Sequence, residues 1–144
     1  MFSDFLKRLT DPAPTQLPDA DARLALTALL VRVARSDNEY SSSEQQRIQS
    51  IITARYALDD TARDALLADA EVLESEAPDT VRFTRSIKDA VAYEDRLAVV
   101  EALWQVVLAD GERAKEEDAL LRLVANLLGI TDMQSAQARK RVER

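Results

Sequence analysis

Apolar residues recur along the chain at steps of three and four, and this pattern divides it into helices of unequal character. Phe2, Phe5, Leu6 and Leu9 fall on one side of a first short segment, with Lys7 and Arg8 opposite. At roughly two turns such a helix is marginal alone and must dock on something. Docking on its own domain is one reading; contact with a membrane surface or a partner is the other. Asp11-Pro12-Ala13-Pro14 then stops helix formation, because each proline lacks a donor and pushes its predecessor toward an extended conformation. The chain therefore reads as residues 1–17, a short amphipathic helix with a proline-containing tether, followed by residues 18–144, a helical domain.

Within that domain the first long helix starts near Pro18-Asp19. Leu24, Ala28, Val31 and Arg35 line one side, and Leu26, Leu29, Leu30 and Val33 widen the apolar surface until little of the circumference is polar. A helix of that kind is buried. A second runs from a cap at Ser41 or Ser42, where Ser41-x-x-Glu44 fits a capping box, through Ile48, Ile51, Ile52 and Ala54 to Tyr56. Asp59 or Asp60 caps a third with Ala62, Leu66, Leu67, Ala70 and Leu73 on its apolar face; Asp79 or Thr80 begins a fourth with Phe83, Ile87 and Val91. Both read as packing elements. A fifth opens near Tyr93-Glu94 and is again apolar nearly all round through Leu97, Val100, Ala102, Leu103, Trp104, Val106, Val107 and Leu108, so it pairs with the first long helix at the centre. Trp104 reads as core filling whose indole N–H needs one acceptor. The sixth carries Ala119, Leu120, Leu123, Val124, Leu127 and Leu128 and stops at Gly129 before Ile130. Thr131 or Asp132 caps a last amphipathic helix with Met133, Ala136, Ala138 and Val142, whose basic end, Arg139, Lys140, Arg141 and Arg144, complements the helix dipole.

Two stretches between these helices match. Ser36-Asp37-Asn38-Glu39-Tyr40-Ser41-Ser42-Ser43-Glu44 and Ala109-Asp110-Gly111-Glu112-Arg113-Ala114-Lys115-Glu116-Glu117 share Asp, a turn residue, Glu, and a further Glu seven positions after the Asp. Such internal matching predicts a pseudo-twofold helix-turn-helix repeat in an all-α bundle of about seven to eight helices. Asn38 and Gly111, the two residue types most tolerant of the left-handed region, predict positive φ at both turns.

Composition narrows the chemistry. The chain has neither cysteine nor histidine, which removes thiolate chemistry, disulfides, Cys-ligated zinc, the commonest general base and the commonest transition-metal ligand. Its formal net charge of −7 disfavours nucleic acid and favours cations or basic proteins. No apolar run approaches a membrane span and no secretory signal opens the chain, so the expected location is cytoplasmic. Aromatic residues make up 5%, and there is no phosphate-cradling glycine loop or nucleophile constellation, so no enzyme is expected.

The doubled pattern, and above all Leu108-Ala109-Asp110-Gly111-Glu112 followed by Glu116-Glu117, resembles the TerB-like domain of the tellurite-resistance family, in its stand-alone bacterial form, over roughly Asp21 to Ile130. The resemblance implies a helical bundle, no enzymatic activity, a divalent-cation site in the acidic stretches and a broad link to metal or chemical stress. The residues that carry over are Asp37, Glu39 and Glu44 from the first stretch and Asp110, Glu112 and Glu117 from the second, with Glu116 beside them. Ala114 and Lys115 stand in the second stretch where Ser41 and Ser42 stand in the first.

A cation has a physical rationale of its own. Hard cations such as Ca²⁺ take six to eight oxygens, which neither stretch can supply alone, so the two stretches would have to pool up to six carboxylates; Ca²⁺ or Mg²⁺ is the expected ion. Neither stretch is an EF-hand, since the glycine comes second and the twelfth positions are Ile48 and Leu121. Two metal-free readings stand beside it: the acids are ordinary caps and dipole partners, or they form a scaffold face that docks a basic protein.

Overall fold

Helix boundaries follow local capping chemistry closely. The structure, a computed structural model, describes residues 5–7, 19–36, 40–77, 79–108 and 115–143, with Asp19 and residues 115–117 through their backbone. Beyond a helical turn at residues 5–7, these form α1 (Asp19–Ala34), α2 (Ser42–Tyr56), α3 (Asp60–Glu76), α4 (Thr80–Ala90), α5 (Tyr93–Val107), α6 (Lys115–Leu127) and α7 (Asp132–Glu143). No strand occurs among the described residues, and the fold is all-α.

Ser41 caps α2 with the full capping box, its Oγ accepting from the Glu44 N–H at 3.1 Å while the Glu44 carboxylate accepts from the Ser41 N–H at 3.2 Å. The Asp59 carboxylate caps α3 at the Ala62 N–H and that of Asp79 caps α4 at the Arg82 N–H. Thr131 and Gln134 repeat the reciprocal arrangement at α7, with Gln134 N–H donating to Thr131 Oγ1 at 3.1 Å and Thr131 N–H to Gln134 Oε1 at 3.0 Å.

One continuous core joins all seven helices. The two helices read as apolar all round are its centre: Ala25, Ala28, Leu29 and Val31 of α1, and Val100, Leu103 and Val106 of α5, are closed to solvent. They pack on each other, but α1 lies most extensively along α3 and α5 along α7, so each central helix also has a cover of its own. Phe5 is buried in this core and Leu6 packs on it while Lys7 is exposed, in keeping with a first segment that docks on its own domain. Phe2 and Leu9 lie outside the described residues.

The apolar faces of four helices differ from the sequence reading. On α6 the buried row is Leu121, Val124, Ala125 and Leu128, whereas Leu123 is 43% exposed and Ala119 faces solvent. On α7 Met133 is 72% exposed and Ala136 is also outside; Ala138 is buried as expected, and Ser135 turns inward beside it. On α2 and α3, Ala54 and Ala62 are exposed. The α7 difference has a clear cause. The Trp104 indole N–H donates to Ser135 Oγ at 3.1 Å, so the inward face of α7 is set by a polar residue that satisfies the buried indole. The basic end of α7 is occupied locally: Arg139 pairs with Glu143 and lies over Trp104, and Arg141 pairs with Glu101.

Candidate functional site

Helix direction decides which ends of the bundle meet. Arg23, near the start of α1, stacks on the ring of Tyr56 at the end of α2, its guanidinium carbon 4.8 Å from the ring centroid, so α1 and α2 are antiparallel. Tyr56 also lies beside Asp95 at the start of α5, while Arg47 near the start of α2 shares a surface hollow with Gln105 and Leu108 at the end of α5. Helices α2 and α5 are therefore antiparallel, and α1 and α5 run the same way. Arg96, early in α5, donates from Nη1 to the carbonyl of Leu128, just past the end of α6, at 2.6 Å, so α6 starts at the end of the bundle where α5 finishes and runs back toward the end where α5 begins. The end of α1, the start of α2, the end of α5 and the start of α6 thus share one end of the molecule. These four termini flank the two matching acidic stretches.

Of the six acids read from the sequence, Asp37, Glu39, Asp110 and Glu112 lie outside the described residues, as do Asn38 and Gly111 with their expected positive φ. Glu116 and Glu117 fall in the first turn of α6, with side chains outside the description. Glu44 is described: it is 2% exposed and its carboxylate serves the α2 capping box, also accepting from Ser41 Oγ at 3.1 Å. Among the described residues no three acidic side chains gather as a metal-holding group.

The same end holds a charged cluster that the sequence reading assigned to plain packing. Glu74 of α3 is 8% exposed and is held by two arginines of α1. Arg32 donates from Nε to Glu74 Oε1 at 3.1 Å and from Nη2 to the Glu74 carbonyl at 2.8 Å, and Arg35 donates from Nη1 to Oε2 at 3.2 Å. Arg32 also lies over Phe83, and Arg35 over Tyr40, the middle residue of the first acidic stretch. The Tyr40 hydroxyl is buried beside the carboxylate of Glu71, which accepts from Gln45 Nε2 at 3.3 Å. Burial, the Glu71 charge and, more weakly, Glu44 push the Tyr40 phenol well above its ordinary value, against the pull of Arg35. A signal for this cluster was present in the sequence: Glu74 sits four positions after Ala70 and seven after Leu67, on the apolar face of α3, and Arg32 sits four after Ala28. A charge at such a position needs a partner.

No match to the chain was found among curated proteins or among solved structures. Over residues 23–140 the chain matches the family described as Tellurite resistance protein TerB. That span takes in α1 from its second turn, all of α2 to α6 and most of α7, and with it both acidic stretches and the Arg32–Arg35–Glu74 cluster: the chain belongs to the TerB tellurite-resistance family.

Proposed function

We propose that this TerB-family chain is a non-enzymatic acidic binding module that takes a divalent cation, Ca²⁺ or Mg²⁺, through its two matching stretches, Asp37, Glu39 and Glu44 with Asp110, Glu112 and Glu117. The observation that carries this reading is the direction of the helices. The parallel course of α1 and α5, with α2 and α6 returning, brings the helix termini that flank both stretches to one end of the bundle. Six carboxylates drawn from one end would repel one another, and a cation relieves that repulsion. Glu44 is the least available of the six, because it already closes the α2 capping box. The burden of ligation therefore falls on the Asp and Glu of each turn and on Glu117.

Thermal unfolding of EDTA-treated protein with Ca²⁺, Mg²⁺, Mn²⁺ or Zn²⁺, beside the Asp37→Asn/Asp110→Asn variant, tests the proposal. The expected result is a rise in Tm of the wild type with one ion that the variant lacks, since a ligand at ~100 times its Kd adds about 2.7 kcal/mol to the folded state. If no ion moves the wild-type curve, the cation reading falls. The acidic end is then the docking face for a basic protein, with an affinity that declines as salt rises.

A further inference from the structure

At the other end of the bundle the start of α1, the end of α2 and the start of α5 enclose a cleft of ≈ 400 Å³. This lies within the few-hundred-Å³ range of small-molecule sites. Its floor is hydrocarbon: Leu26 and Leu30 from α1, Ile51 and Ile52 from α2, and Val99 from α5, each 5% exposed or less. The mouth is polar and carries Arg23, Arg55, Tyr56 and Asp95. Arg23 lies over the Tyr56 ring, and its guanidinium, like that of Arg55, has no ion-pair partner among the described residues. Arg32, Arg35, Arg63, Arg122, Arg139 and Arg141, elsewhere on the molecule, each meet a carboxylate, whereas Arg47, Arg82, Arg85 and Arg96 show no ion pair among the described residues either. Arg23, Arg55 and Asp95 all act on the Tyr56 phenol, so the three charges converge on one spot. Two guanidiniums against one carboxylate leave that spot net positive in a protein whose formal net charge is −7.

We propose that this cleft is a binding site for a small amphiphilic carboxylate, whose hydrocarbon body lies on the Leu26–Ile52–Val99 floor and whose head is taken by Arg23 and Arg55. Arginine suits the task because its planar fork of donors matches a carboxylate and stays charged at any physiological pH. The apolar floor accounts for the body of the ligand, since hydrocarbon that leaves water for it is stabilised by the hydrophobic effect. The stack on Tyr56 holds the Arg23 guanidinium at the mouth in advance, so less side-chain freedom is lost when a ligand arrives. Asp95, in the first turn of α5, sets the ligand's net charge at a single anion: a second negative group would meet it.

The site is independent of the acidic end, and so is its test. Decanoate, kept below its micelle threshold, is titrated calorimetrically into the full chain, with decanol as the uncharged body and acetate as the bare head. The expected result is saturable one-to-one binding of decanoate, with decanol and acetate each at least tenfold weaker. Arg55→Gln, which disturbs no stacking contact, weakens decanoate about tenfold, and Arg23→Gln does the same or more. Ala98→Phe fills the cleft while keeping both arginines and abolishes binding; circular dichroism checks that each variant is folded. Asp37→Asn/Asp110→Asn binds decanoate like the wild type, so the cation reading and this one fail separately. The proposal is overturned if the wild type shows no saturable binding, if decanol binds as tightly as decanoate, or if a folded Arg55→Gln or Ala98→Phe variant binds decanoate unchanged.

Discussion

Single residues in this protein differ most in what their charge touches. Glu74 gives both carboxylate oxygens and its carbonyl to arginines, and the Arg32 side chain that meets it is only 14% exposed. Asp60 pairs with Arg63 at 3.2 Å, a similar distance, but its side chain is 91% exposed. Water and salt screen the second pair and hardly reach the first. Glu74→Gln removes a negative charge from a nearly closed site where Arg32 also lies over Phe83, and it should cost about 3 kcal/mol, the lower part of the range for breaking a buried pair, because Arg35 reaches solvent. Asp60→Asn should stay within about 0.5 kcal/mol of wild type. Urea denaturation separates the two, with a lower midpoint at constant m-value for Glu74→Gln. Equal midpoints for the two variants would show that burial does not set the strength of the Glu74 pairs.

At the scale of helices, the way each one stops explains what could be read from the sequence. Helix α6 ends at Gly129, φ 80°, and Ile130 N–H returns to the Ala125 carbonyl at 2.9 Å. The sequence announced this stop, because a glycine followed by an apolar residue has few other uses. Helix α2 ends through a similar bond, from Leu58 N–H to the Thr53 carbonyl at 3.3 Å, but its left-handed residue is Ala57, φ 52°. Alanine is the best helix former, so nothing in its identity reveals the turn. Leu58, which packs on the core just beyond, supplies the tertiary pull. The same logic covers the other differences. Capping acids and serines act locally and were legible at Ser41, Asp59, Asp79 and Thr131, whereas the inward Ser135 and the Glu74 cluster depend on partners about thirty or more residues away. The candidate acids were legible as a matching pattern; which end of the bundle they belong to needed helix directions that no local signal carries. The two stops also make an opposed pair of predictions. Ala57→Gly relieves left-handed strain and should stabilise by about 0.5–1 kcal/mol. Gly129→Ala should destabilise by about 1 kcal/mol or more, since its Cβ adds strain at positive φ and comes 3.3 Å from Arg96 Nη1, the donor to the Leu128 carbonyl. Thermal unfolding reads both signs, and a loss of stability in Ala57→Gly would refute the strain argument.

For the molecule as a whole, each end of the bundle carries a tyrosine whose phenol is held above its ordinary value. Tyr40 stands at the acidic end, where burial first, then Glu71 and Glu44, push its phenol above the ordinary value while Arg35 pulls the other way. Tyr56 stands at the cleft, where burial again leads and Asp95 adds to it, against Arg55 and Arg23. In both cases the folded state holds a proton that the unfolded chain gives up near pH ~10. The native form therefore binds more protons above that pH, and stability falls as pH rises further, by at most about 1.4 kcal/mol per pH unit for each phenol, less where solvent screens it. Below pH ~10 both contributions are fully present. Urea midpoints measured from pH 8 to 11 should be flat at first and then decline, and Tyr40→Phe or Tyr56→Phe should each make the decline shallower. Absorbance at the tyrosinate band should show both phenols titrating late in the folded protein. The two substitutions also tell the ends apart. If the acidic stretches hold a cation, its positive charge near Tyr40 lowers that phenol's pKa and leaves Tyr56 unchanged, whereas decanoate in the cleft brings a negative charge beside Tyr56 and raises its pKa alone. A cation that shifts both phenols equally, or decanoate that shifts Tyr40, would mean that the two ends are not separate sites.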